Sequence, residues 1–109
     1  MCSYMLVHAL LYDMDSDHFD NEIFDWDEAN LEHATRHGVE DFEIEQAILD
    51  MHSVETAAKK VRGERREALI GSTAGGRIVV IVYTDRGGKI RPISARGATD
   101  TEKRRYRRG

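Results

Sequence analysis

The stretch Arg77–Thr84, RIVVIVYT, constrains the fold of this chain more than any other. Isoleucine, valine and threonine make up six of its eight residues, and Tyr83 is a seventh strand former. It is apolar almost throughout, which predicts a strand central in its sheet with both faces covered. Asp85-Arg86-Gly87-Gly88 follows as a hairpin turn, and Ile90–Arg96 reads as the paired strand. Pro92 lacks an amide hydrogen, so this partner belongs at an edge or carries a bulge. Upstream, Ala68-Leu69-Ile70 is a short apolar run ending at Gly71, and Ala74-Gly75-Gly76 is a turn. Three antiparallel strands are therefore expected between residues 68 and 96.

The first half has a different period. Ile23–Asp27, IFDWD, suggests a short strand. Asp27 is a good helix N-cap, and Glu28 suits the positive end of the helix dipole. A helix is expected to about His37, with Leu31, Ala34 and Thr35 on one stripe and Gly38 as its stop. A second helix from Asp41 carries Ile44, Ala47, Ile48 and Met51 at helical spacing and should fade near His52. At the other end, Thr99-Asp100-Thr101-Glu102 is a capping box opening a basic helix, Lys103–Arg108. Helices segregated from a meander of strands mean an α+β fold. No internal repeat is present.

With 109 residues the chain has room for one domain and a tail. Cys2 is the only cysteine, which excludes an internal disulfide and suits a reducing compartment. No apolar run is long enough to span a membrane. The net charge of −4 hides a division: residues 1–54 hold fourteen acids and one cation, net −13, and residues 55–109 hold six acids and fifteen cations, net +9. That asymmetry points to an anionic partner for the second half, or to attraction between the halves of one domain. Residues 1–21 stand apart: Met5–Tyr12 is apolar and Asp13–Asp20 is dense in acid. This leader makes a poor signal peptide and lacks the glycine and closing Glu of a calcium loop. An extra helical turn, an added edge strand and a disordered extension all fit it.

No P-loop, dinucleotide fingerprint, paired CxxC or GxSxG occurs. What remains is a set of cations on and around the sheet, among them Lys59, Lys60, Arg62, Arg65, Arg66, Arg77, Arg86, Lys89, Arg91 and Arg96. Arginine forks match phosphate oxygens, so a sheet face bearing several of them would bind nucleic-acid backbone. The competing reading is that they are solvated strand and loop positions. His33 and His37 share a helix face at i,i+4. That spacing fits half a zinc site, a dipole-favoured histidine at a helix end, or a proton-transfer group. Trp26 reads as a core anchor. Tyr106, within Lys103–Arg108, fits either packing or a hydroxyl near a phosphate.

Phe24-Asp25-Trp26-Asp27-Glu28-Ala29-Asn30, then His33 and Arg36-His37-Gly38-Val39, resembles the opening signature of BrnT-family toxins. Ala68-Leu69-Ile70-Gly71, Gly76-Arg77-Ile78-Val79-Val80 with Tyr83, Ile93-Ser94-Ala95-Arg96 and Glu102-Lys103-Arg104-Arg105-Tyr106 follow in matching order. The resemblance covers residues 22–107. It implies a RelE-like small antiparallel sheet with two N-terminal helices on one face and a short basic C-terminal helix, over residues 22–109. It further implies a cytoplasmic ribonuclease toxin of a type II toxin–antitoxin pair that inhibits translation. A cognate protein antitoxin, encoded next door, would neutralise it. Arg66 and Arg96 match positions associated with toxicity. Some relatives carry a cation directly after the aromatic that ends the central strand, where this chain has Thr84 and then Arg86.

The chemistry this implies needs neither metal nor cofactor. A ribose 2′-hydroxyl attacks the adjacent phosphate, a base takes its proton, and an acid protonates the leaving 5′-oxygen. Arg66 and Arg96 would stabilise the phosphorane-like charge. His37, Tyr106 and Glu64 are the candidate acids and bases. Lys59, Lys60, Arg62, Arg65, Arg86, Arg91 and Lys103 are the candidate RNA contacts. The rival expectation is a non-catalytic nucleic-acid-binding or regulatory module on the same fold.

Overall fold

The computed structural model describes residues 22–109. The acidic leader, residues 1–21, lies outside them. Helices α1 (Glu28–Thr35) and α2 (Asp41–Ile48) come first. Strands β1 (Val54–Glu55), β2 (Lys59–Val61), β3 (Glu64–Ser72), β4 (Ile78–Arg86) and β5 (Lys89–Gly97) follow, and α3 (Asp100–Arg108) closes the chain. The sheet is antiparallel in the order β1-β3-β4-β5, with β2 paired to the opening residues of β3. The fold class is α+β, as the pattern of elements predicts.

Leu69, Ile81 and Ala95 stand side by side across β3, β4 and β5. With Val79 they face α1 and α2 and pack on Ala34, Val39, Ile44 and Ala47, with Phe24 and Trp26 closing the core. Trp26 is the anchor its composition suggests, and its indole nitrogen donates to Glu45 at 2.8 Å. Gly71 is what lets α2 settle this close. A Cβ there would stand 2.3 Å from the Ala47 carbonyl oxygen.

The turns obey their residues. Gly87 and Gly88 both have positive φ, 62° and 85°, which gives the primed hairpin that matches strand twist, closed by Arg86 opposite Lys89. Arg62-Gly63 does the same between β2 and β3, with φ of 54° and 82°.

Four expectations need correction. Ile23–Asp27 is not a strand. Phe24 makes a single parallel bridge to Ile90, because the chain must leave at Asp27 to cap α1. The sheet is larger than three strands: β1 and β2 were not anticipated, and β3 starts at Glu64. β2 and the opening of β3 are mostly charged and form an edge hairpin, where no apolar alternation is demanded, and β1 is only two residues long. Helix α2 stops at Ile48, leaving Leu49 and Met51 exposed, because the Asp50 carboxylate turns back to accept the Ser72 amide at 2.9 Å. Finally, β4 is central but not covered evenly on both faces. On the face away from α1 and α2, α3 lies over Ile70 and Val80, while Ala68 and Val82 stay half-buried.

Candidate functional site

That second face carries the candidate site. Counting along the strands by alternation, Glu64, Arg66, Ala68 and Ile70 of β3 share it with Val80, Val82 and Thr84 of β4. At one end it opens into a cleft of about 340 Å³. Glu64 and Arg66 line it from β3, Thr84 and Arg86 from β4, Arg91 and Ile93 from β5, and Ala29, Asn30 and His33 from α1. A second hollow continues along the face past Lys59, Ala68, Val82 and Ser94. Arg66, His33 and Ile93 line both.

The wall made by α1 is fixed by a β-bulge. Pairing between β4 and β5 shifts at Val82/Tyr83, so Ile93 of β5 has no partner. Bulges re-aim side chains and free backbone groups. The carbonyls at this one are taken by α1. Asn30, buried, donates through Nδ2 to Pro92 at 2.9 Å and to Asp25 at 3.0 Å. His33 Nδ1 lies 2.8 Å from the Ile93 carbonyl oxygen. Asn30 Oδ1 also accepts the Asp27 amide at 2.7 Å, and Asp27 accepts the Asn30 amide at 3.1 Å, a capping box.

Charge in the cleft is unevenly engaged. Arg91 is only 11% exposed and holds Asp27 at 3.0 Å and Asp25 at 3.5 Å, so its guanidinium secures the start of α1. That hydrogen bond is the main reason the Asp27 carboxyl sits below its ordinary value. Arg66 Nε lies 3.4 Å from the Glu64 carboxylate. Arg86 makes no ion pair with a described residue and is the cation most open to a phosphate.

Arg96 sits on the same face, opposite Val80 and Ile70. Its Cα is roughly 16 Å from that of Arg66, by strand rise and spacing. The two cations therefore bracket the face. Arg96 shares a small hollow with His37, Val82 and Ser94. Its guanidinium is held bidentately by Glu102 at 2.8 and 2.9 Å. That bond drives the Glu102 carboxyl down to about 2.

A family model described as a ribonuclease toxin, BrnT, of type II toxin-antitoxin systems matches residues 26–102. The chain belongs to the BrnT family. No curated protein matches it. As a BrnT toxin it is a ribonuclease whose family pairs each toxin with a protein antitoxin. The matched span runs from the Trp26 anchor to Glu102 and contains the whole cleft, together with Arg96 and His37.

The remaining residues singled out in the sequence lie elsewhere on this BrnT toxin. The Tyr106 hydroxyl donates to Asp50 at 2.6 Å, which raises the tyrosine's pKa. Burial pushes the Asp50 carboxyl up, but its hydrogen bonds from Tyr106, His52 and Ser72 outweigh that and leave it lowered. This pair staples α3 to the end of α2. Lys60, Arg62 and Arg65 lie on the β2–β3 hairpin outside the cleft, and Arg65 is paired with Glu67 at 2.6 Å. Lys103 lines a separate basic hollow with Arg77 and Arg107. Among the described residues no group of His, Cys, Asp and Glu could hold a metal ion. Among those same residues no helix is long and apolar enough to cross a membrane.

In the sequence His33 pairs by spacing with His37, but its spacing from Asn30 is the one the fold uses. Asn30 and His33 stand at i,i+3, so two polar side chains share one face of α1. A polar pair on a helix face turned toward a sheet was the available signal.

Proposed function

We propose that this toxin cuts RNA in the cleft between α1 and the open sheet face, by metal-independent transfer to the ribose 2′-oxygen. One observation carries the reading: Glu64, Arg66, Arg86 and His33 converge in one cavity, from two strands and a helix. RNA backbone crosses the face with Arg66 and Arg86 on the scissile phosphate and Lys59 and Arg96 on its neighbours. Glu64 is the base that takes the 2′-hydroxyl proton, held in place by Arg66 at 3.4 Å. The 2′-oxygen bonds to phosphorus as the bond to the 5′-oxygen breaks, leaving a cyclic phosphate and a 5′-hydroxyl. The two arginines stabilise the charge that builds on the phosphoryl oxygens. His37 lines a hollow with Arg96 farther along the face. Tyr106 serves α3 through Asp50 rather than the cleft.

The neutralising antitoxin is encoded beside the toxin gene and acts in the cytoplasm. Its docking covers this basic face with acidic surface, which favours fast association. The experiment is induction in a bacterium of wild type and of the Arg66→Ala, Arg96→Ala double variant, with folding checked. Wild type should arrest growth and deplete RNA, and the double variant should do neither. A fully toxic double variant rules out this face as the site. Growth unimpaired by soluble wild type, with salt-dependent RNA binding, would favour the non-catalytic binding module.

A further inference from the structure

We infer that His33 is the general acid of the cleavage, an assignment that rests on the cleft being the ribonuclease site. The Ile93 carbonyl can only accept, so the hydrogen on this contact belongs to His33 Nδ1. That fixes the ring's orientation and leaves Nε2 as the nitrogen available for proton transfer. The orienting contact is built in: it uses the residue left unpaired by the β5 bulge, beside the Pro92 carbonyl held by Asn30. A base or acid oriented by a third group, in reach of charged partners, is the arrangement that proton transfer requires. His33 lines the same cavity as Glu64, Arg66 and Arg86, and also the hollow that continues along the face. His37, one turn on, lines neither of these.

The step balances. Glu64 accepts the 2′-hydroxyl proton, the O2′–P bond forms and the P–O5′ bond breaks. The imidazolium gives its Nε2 proton to the departing 5′-oxygen, and both groups return to their starting states through solvent. Imidazole is suited to this because its protonation changes near neutrality.

The test is His33→Asn in the full-length protein. An Asn amide can still donate to the Ile93 carbonyl, as Nδ1 does, but it has no transferable proton at the Nε2 position. Three measurements are compared with wild type: binding of a 2′-deoxy oligonucleotide, cleavage of the matching RNA across pH, and cleavage of RNA with a 5′-bridging sulfur. The sulfur leaves without protonation. The expected result is binding within about twofold and kcat on RNA reduced by about 10²-fold or more. The alkaline limb of the pH profile should be lost, with rates near wild type on the sulfur substrate. A variant within about threefold of wild type on RNA, a size far below proton-transfer effects, overturns the assignment and leaves the cleft standing. So does a slow variant that the sulfur substrate fails to rescue. If His33→Asn proves unstable, His33→Gln on the sulfur substrate decides in the same way. Wild type that cuts neither substrate overturns the cleft itself, and the His33 role with it.

Discussion

Glu102 shows how one side chain serves two ends. It closes the capping box of α3, accepting the Thr99 amide at 2.8 Å, and it grips Arg96 with both oxygens. Its carboxyl falls from an ordinary 4.5 to about 2, chiefly through the Arg96 hydrogen bond. The folded value is depressed, so the unfolded chain binds this proton first as pH drops. The stability it contributes is complete above pH 4.5 and is lost as pH falls through about 2. Arg96 is half exposed, so solvent screening keeps the contribution modest. Glu102→Gln keeps an oxygen for the cap and removes the charge. Acid unfolding of that variant should be flatter between pH 4.5 and 2, read by circular dichroism. The same change releases Arg96 on the open sheet face. Affinity for a single-stranded oligonucleotide at low salt, read by fluorescence anisotropy, should therefore rise, because the guanidinium no longer has a competing carboxylate.

At the scale of elements, two close fits place α1 and α2 against the sheet. The first is Gly71, where β3 meets the end of α2. A methyl group there collides with the Ala47 carbonyl, which is backbone and cannot rotate aside. Gly71→Ala should lower stability by about 2 kcal/mol or more, the scale of overpacking in a tight core, measured by urea unfolding. Nothing at residue 71 has positive φ, so the glycine answers to space rather than to turn geometry. The second fit is the β5 bulge with Asn30 and His33. Pro92 announced a bulge or an edge, and the structure has both, since β5 is the outer strand apart from the Phe24 bridge. What Pro92 could not announce is that α1 would lie over that bulge. The α1 wall of the cleft depends on that placement.

Across the whole molecule the charge division becomes a division of faces. Asp27, Glu28, Glu32, Glu40, Asp41, Glu43 and Glu45 lie on or cap the two helices, while the sheet and α3 carry the cations. Arg91 with Asp25 and Asp27, and Arg77 with Glu43, join the halves. Arg86 and Lys59 form no ion pair with described residues and remain for an anionic partner. RNA binding should therefore fall steeply with salt, measured by fluorescence anisotropy with a non-cleavable oligonucleotide. Arg86→Ala and Lys59→Ala should each flatten the slope by about 0.7. Arg91→Ala should instead act through stability, since its guanidinium is engaged by two aspartates.

Local patterning alone determined the central strand, its glycine hairpin, both N-terminal helices and the capped basic helix. Each is a matter of residues within a few positions of one another, where β-branching, capping and turn chemistry act directly. The extent of β3 and the existence of β1 and β2 were not legible, because edge strands pair through backbone and leave their side chains free to be charged. The cleft was legible in part. Arg66 and Glu64 are two residues apart on one strand and so must share a face. Arg86, Asn30 and His33 reach them only through the order of strands, a bulge and the seating of one helix. Contacts between α1 and β5 span about sixty residues of chain, as His33 to Ile93 does. Only the packed core, which holds α1 against the sheet, brings those groups within reach of one another.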